Sequence, residues 1–209
     1  MTRAQQRAIK EFWPDFGVDV PSGVLDLGLL FPDPGPVILD IGFGDGEALL
    51  DLARNHPNIH YLGVEVYEPG IGHLLLGLDA AQISNVRVIH SDAAELLSQH
   101  LPAAAIAAIN LFFPDPWPKK RHFKRRLLQP EFADDLCRAL QPGGLFHFAT
   151  DWLPYAEHAR NILGTASQLR PLDVSEVVGS PLAQRPPTKF ERRGVALGHP
   201  VTDLYYRKP

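Results

Sequence analysis

The residues best suited to chemistry lie in one stretch, Phe112-Phe113-Pro114-Asp115-Pro116-Trp117-Pro118-Lys119-Lys120-Arg121-His122-Phe123-Lys124-Arg125-Arg126. Prolines at 114, 116 and 118 exclude helix and hold the backbone extended or turned. Inside this stiff loop sit one carboxylate, Asp115, and one indole, Trp117. Six Lys or Arg follow within the eight residues 119–126. A carboxylate can hydrogen-bond a base edge, an indole can stack on it, and cations can neutralise phosphate. The bland alternative is a solvated basic face beside a turn that the Trp only buttresses.

Other acids stand at comparable places. The apolar run Val37–Ile41 reads as a strand containing Asp40. Gly42-Phe43-Gly44-Asp45-Gly46 follows, and then an amphipathic helix over 47–55. Strand, glycine turn and helix open a nucleotide-binding α/β unit. The spacing is Gly-x-Gly-x-Gly and not Gly-x-Gly-x-x-Gly, so a pyrophosphate cradle is less favoured than a ligand without phosphate. Glu65 closes the next strand, 61–66, roughly 20 residues past the turn, where an acid takes ribose hydroxyls. Asp92 follows the strand 86–90; it can accept from an adenine amino group beside the Ala93 amide, or cap a helix over 93–99, and the two roles can coexist. Asp115 follows strand 105–111, and Asp151 follows strand 145–149. Acids at five equivalent strand ends are hard to credit to packing alone.

These elements predict an α/β fold with a mostly parallel sheet, helices on both faces and ligands at the carboxyl ends of the strands. The remaining helices are expected over 70–83, 130–140 and 155–163. Residues 141–144 read as a turn and 164–187 as irregular. Residues 201–206 read as an antiparallel C-terminal edge strand. Residues 1–36 form a basic N-terminal segment and connecting loop, and 37–209 the main domain. Arg3, Arg7 and Lys10 precede Phe12-Trp13-Pro14 on a short helix or a flexible arm, stopped near Pro14. It lies on phosphate, or docks its Trp on the body.

Composition bounds the rest. The chain has 209 residues, 45% of them hydrophobic, and a net charge of −4. A globally basic nucleic-acid binder is excluded, so any RNA or DNA grip must come from local clustering. The single cysteine, Cys137, forbids an internal disulfide and reads as a core thiol on an amphipathic helix. Nine histidines lack ligand spacing, so no metal is expected. No signal-like segment or long apolar run appears, and a cytoplasmic monomer or weak homodimer is expected.

These residues resemble the bacterial tRNA (guanine-N7-)-methyltransferases, class I S-adenosylmethionine enzymes with a Rossmann-like fold. The likeness starts at Ala4-Gln5-Gln6 and runs through Asp40–Gly46, Gly63–Val66 with Pro69-Gly70, and His90–Ala93. It continues through Phe113–His122 with Lys124–Arg126, Ala149–Trp152 and Thr188-Lys189-Phe190-Glu191-Arg192-Arg193-Gly194. Pro-Asp-Pro-Trp followed by the basic run is its most specific part. The resemblance implies that Asp40, Gly42, Gly44, Gly46, Glu65, Asp92, Ala93 and Asp115 border S-adenosylmethionine, with Asp115 also the catalytic carboxylate. It implies that Lys119, Arg121, His122, Lys124, Arg125, Arg126, Asp151, Thr188, Lys189, Phe190 and Glu191 contact the tRNA, whose target is a guanine in the variable loop. Two features depart from the family pattern. Asp40 stands where Glu is common, about one methylene shorter, which leaves room for a bridging water. The chain also begins almost on its first motif, without the longer basic extension of many relatives.

Three rival readings meet the same residues. A small-molecule methyltransferase leaves the basic run idle. An RNA-binding protein with a decayed pocket leaves the strand-end acids unexplained. A nicotinamide-dependent dehydrogenase has the wrong glycine spacing.

Overall fold

The structure is a computed structural model that describes residues 1–165, 168–187, 191 and 200–209. In chain order it runs α1 (Arg3–Phe16), α2 (Leu27–Leu30), β1 (Val37–Ile41), α3 (Glu47–Asn55), β2 (His60–Glu65), α4 (Glu68–Ala80) and β3 (Val86–His90). It continues with α5 (Ala93–Glu95), a π-helical turn over Leu96–His100, β4 (Ile106–Phe112), a 3-10 turn over Lys120–Arg125 and α6 (Pro130–Ala139). Last come β5 (Leu140–Thr150), α7 (Leu153–Thr165), β6 (Arg170–Leu172), short 3-10 turns at Val174–Glu176 and Pro181–Ala183, and β7 (Thr202–Arg207). None of these helices is long and apolar enough to cross a membrane.

The sheet order is β3-β2-β1-β4-β5-β7-β6. The first five strands are mutually parallel, and β7 is antiparallel to both β5 and β6. The chain leaves β1 toward β2 and β3, then returns to place β4 on β1's other side. That reversal opens a crevice at the carboxyl ends of β1 and β4, where ligands of wound sheets bind.

Strand alternation sorts the core into two layers. Leu39, Ile41, Leu62, Val64, Ile109 and Leu111 meet Leu128, Phe132, Leu136 and Tyr155 on one face. Ile38, Tyr61, Val86 and Ala108 meet Leu49, Leu52, Leu74 and Leu78 on the other. Asp40 alternates with Leu39 and Ile41, so it falls on the α3–α4 face, and it is only 3% exposed.

The N-terminal segment is docked on this body. Ala8 is buried, and a Cβ on Gly72 of α4 would meet the Gln5 carbonyl at 2.7 Å, so the two helices meet nearly backbone to backbone. Helix α1 runs two residues past Pro14. The Trp13 indole then donates to Asp19 at 3.1 Å, and Val18 N–H donates to Val88 O at 2.8 Å along the β3 edge.

Two sequence expectations need correction. Strand β7 is antiparallel as expected, but it is not the edge, because β6 pairs along its outer side. A three-residue strand with Pro171 at its centre shows no alternation to read, and an edge is where a strand proline is tolerated. Residues 141–144 are likewise no free turn. They belong to β5, whose register with β4 shifts between Ile106 and Ala108. Gly143 there has φ 78°, which suits a bulge.

Candidate active site

Three glycines shape the loop after β1. Gly42, Gly44 and Gly46 all have positive φ, at 69°, 61° and 79°. Non-glycine residues rarely adopt this conformation. Neighbours close in as well: a Cβ on Gly46 would meet Leu74 at 2.8 Å, and one on Gly70 would meet the Gly44 carbonyl at 1.8 Å. The start of α4 is therefore pressed against the loop.

The loop is tied to Glu65. The Gly44 N–H donates to Glu65 Oε2 at 2.8 Å. Val66 and Tyr67 N–H donate to Oε1 at 2.8 and 3.0 Å. Three backbone amides thus fix one carboxylate at the crevice mouth. A carboxylate offers about four lone-pair sites, so one remains for a ligand hydroxyl as the side chain stands. Holding two hydroxyls would require one of the three amides to let go.

Two cavities meet at the crevice. The larger, ≈ 410 Å³, is lined on one side by Glu65, Val66, Ser91, Asp92 and Ala93, and on the other by Asp115, Trp117 and Arg125. The smaller, ≈ 60 Å³, lies under the glycine loop against Asp40, Phe43, Asp45 and Glu47. Gly42, Phe112 and Phe113 line both. Burial, and then the charge of Glu65, push the Asp40 carboxyl up to about 7. Asp92 takes the cap role: its Oδ1 accepts from Ala94 and Glu95 N–H at 2.8 and 3.2 Å. It also lines the cleft.

The loop after β4 is wound tightly. Phe113 and Trp117 have positive φ, 50° and 42°, which strains non-glycine backbone. Phe113 N–H donates to Ala149 O at 2.8 Å, extending the β4–β5 pairing by one residue. The Arg125 guanidinium lies 5.0 Å from the Trp117 ring centre, and His122 meets that ring edge-on at 5.6 Å. Trp117 is half-buried and joins the cleft wall to the basic run.

Arg126 departs from expectation. It is 2% exposed, stacks over Phe123 at 3.7 Å and Tyr155 at 4.8 Å, and donates from Nε to Pro116 O at 2.8 Å. It is a fastener of the proline loop and is withdrawn from any solvent-facing phosphate. The apolar Phe123 and Tyr155 faces accept a guanidinium plane, and that is what draws it inward.

A family model described as "Putative methyltransferase" matches residues 27–204. The tRNA (guanine-N(7)-)-methyltransferase of Halorhodospira halophila is 50% identical over 99% of this chain and 90% of that protein. The protein of the same name from Leifsonia xyli is 49% identical over 99% and 91%. The chain belongs to the tRNA (guanine-N(7)-)-methyltransferase family. Among solved structures, the 16S rRNA methyltransferase KamB aligns with TM-score 0.60 at 19% identity, covering 90% of this chain and 96% of that one. A SAM-dependent methyltransferase from Aquifex aeolicus aligns with TM-score 0.55 at 16% identity, covering 88% and 87%. At such identities the likeness is one of fold: this family member has the wound sheet of those methyltransferases.

In this member of the family, the crevice gathers Gly42, Glu65, Asp92, Ala93, Asp115 and Arg125 on one cleft, with Asp40 and Gly44 on the adjoining cavity. Gly46 caps α3 behind them. Lys119, Arg121 and Lys124 are exposed beside the cleft and His122 is half-buried against Trp117; among the described residues none of the four lines it, nor does Asp151. Glu191 forms an ion pair with Arg185. Thr188, Lys189 and Phe190 lie outside the described residues. Phe43, Phe112 and Phe113 lie within the motifs quoted from the sequence but are given no site role there, and Arg185 is not singled out. A phenylalanine carries no donor, acceptor or charge that marks it for a site, and Arg185 stands alone between prolines with no spacing to single it out.

Proposed function

We propose that the chain transfers a methyl group from S-adenosylmethionine to N7 of a guanine in the tRNA variable loop. One observation carries this reading: Asp115, Trp117 and Arg125 face Glu65 and Asp92 across one cleft, at the reversal point of the sheet. The residues fit the donor. Glu65 is held rigid for a ribose hydroxyl, Asp92 and Ala93 flank the place for adenine, and the positive-φ glycines let backbone approach the methionyl part. Once bound, the donor supplies the sulfonium methyl.

Guanine N7 is a lone pair on an aromatic ring and carries no proton, so no general base is needed. The chain's own task is placement and charge management. Asp115 orients the base by accepting from its N1–H or amino group and offsets the positive charge that methylation brings to the ring. Trp117 holds the loop and Arg125 while presenting its ring to the cleft. Arg121, Lys124 and Arg125 take phosphates, joined by Lys119. Asp151 and the segment 188–191 complete the substrate side.

Asp115→Asn tests this. Asparagine keeps the shape but loses the charge. The variant should melt with the parent and bind S-adenosylmethionine as well, while methylation of bulk tRNA, read as labelled 7-methylguanosine, falls by ~10²-fold or more. Methylation at the parent rate would remove Asp115 from the reaction.

A further inference from the structure

Behind the Phe112–Phe113 wall lies a polar network centred on Arg185, a residue given no part in the reaction so far. The Arg185 side chain is only 9% exposed. Its Nε and Nη2 donate to Asp203 of β7 at 2.9 and 3.1 Å. Nη2 also donates to Glu191 Oε1 at 3.0 Å, and Nη1 donates to Oε2 of the same carboxylate. Asp203 further accepts from His147 Nε2 at 2.7 Å. His147 is 1% exposed, stacks on Tyr205 at 4.2 Å and meets the edge of Phe112 at 4.8 Å. The guanidinium carbon lies 5.9 Å from the Phe112 ring centre and 5.4 Å from that of Phe113.

We propose that Arg185 is a positioning residue for methyl transfer, holding Glu191 against β7 and bracing from behind the two phenylalanines that wall the cleft. A planar fork suits this task, because it can grip two carboxylates at once with fixed geometry. One side of the fork is anchored in the sheet through Asp203. The other reaches Glu191, which stands in the stretch 188–191 assigned above to the substrate. Between them the cation abuts the strand end that delivers Asp115. The inference rests on the methyltransferase reading, since it names what the brace is for.

A double-mutant cycle tests it with intact protein: Arg185→Gln, Glu191→Gln and the pair, assayed with tRNA and S-adenosylmethionine. Parent activity comes first; without tRNA methylation by the parent the functional reading itself fails. Given parent activity, Arg185→Gln should lower kcat by roughly 10- to 100-fold, with S-adenosylmethionine affinity held within about twofold of the parent, since Arg185 lies off the cleft lining. The pair should be little worse than Arg185→Gln alone, because Arg185→Gln already breaks the contact through which Glu191 is held. Losses that multiply across the cycle, or an Arg185→Gln enzyme with parent kcat, overturn the proposal while leaving the reaction intact. Should Arg185→Gln not fold, Arg185→Lys takes its place in the cycle. Lysine keeps the buried charge but lacks the two-sided fork, so the same non-additivity is expected of it, and multiplying losses again overturn the proposal.

Discussion

A buried acid at the bottom of the site sets a residue-scale expectation. Asp40 rises from 3.8 to about 7, first by burial and then by the Glu65 charge. Between those values the folded protein keeps a proton that the unfolded chain has released. Stability then falls as pH climbs through that window and stays at its reduced level above it. Asp40→Asn removes the titration. Its melting temperature, relative to the parent and without ligand, should therefore gain steadily from about pH 5 to pH 7 and then level off, by an amount equivalent to at most a few kcal/mol at roughly 1.4 kcal/mol per unit. His147 works in the opposite sense, since burial lowers its pKa and its folded form resists charging as pH falls. It is common to both proteins and cancels in the difference. A melting difference that is flat across the range would show that the Asp40 proton is not where burial puts it.

At the scale of elements, the glycine loop and α4 are one unit. A Cβ on Gly70 would overlap the Gly44 carbonyl at 1.8 Å, and Gly44 N–H is the donor that fixes Glu65. Gly70→Ala must push the helix start or the loop aside. It should cost about 1–3 kcal/mol of stability and weaken S-adenosylmethionine binding measured by calorimetry. Gly164→Ala in α7 meets nothing within 4 Å. It should leave binding unchanged and stabilise by up to about 1 kcal/mol. Equal binding by the two variants would break the link between α4 and the site. Here too lies the limit of what a sequence discloses. Strand, glycine turn and helix were readable because each has a period and a punctuating residue. The carboxylates at the strand ends followed from the alternation of those elements. Strand β6 has neither length nor alternation, and its pairing with β7 becomes visible only once the neighbouring strand is in place. Arg185 was hidden for a related reason: its partners at 191 and 203 are brought to it by tertiary folding and by no local spacing.

For the whole molecule, charge must be local to matter, because the chain is net negative at −4 while its substrate is a polyanion. The run 119–126 divides into an exposed set and a buried residue. Arg121, Lys124 and Arg125 face solvent, on the side of the cleft reached by Trp117 and Arg125. Arg126 faces Phe123, Tyr155 and the Pro116 carbonyl. Counterion release makes each phosphate contact worth about 0.7–0.9 in the slope of log affinity against log salt. Replacing Arg121, Lys124 and Arg125 together by Ala should therefore flatten the slope of tRNA binding by about 2, with S-adenosylmethionine affinity and melting temperature close to the parent. Arg126→Met keeps most of the stem but loses the Pro116 hydrogen bond and the guanidinium stacking. It should lower stability by about 1–3 kcal/mol with the salt slope unchanged. The two signatures are opposite, so urea melts and salt-titrated tRNA binding on the same pair of proteins separate them. If Arg126→Met flattened the slope while melting like the parent, the buried cation would belong to the RNA surface after all, and the division of this run into a grip and a fastener would fail.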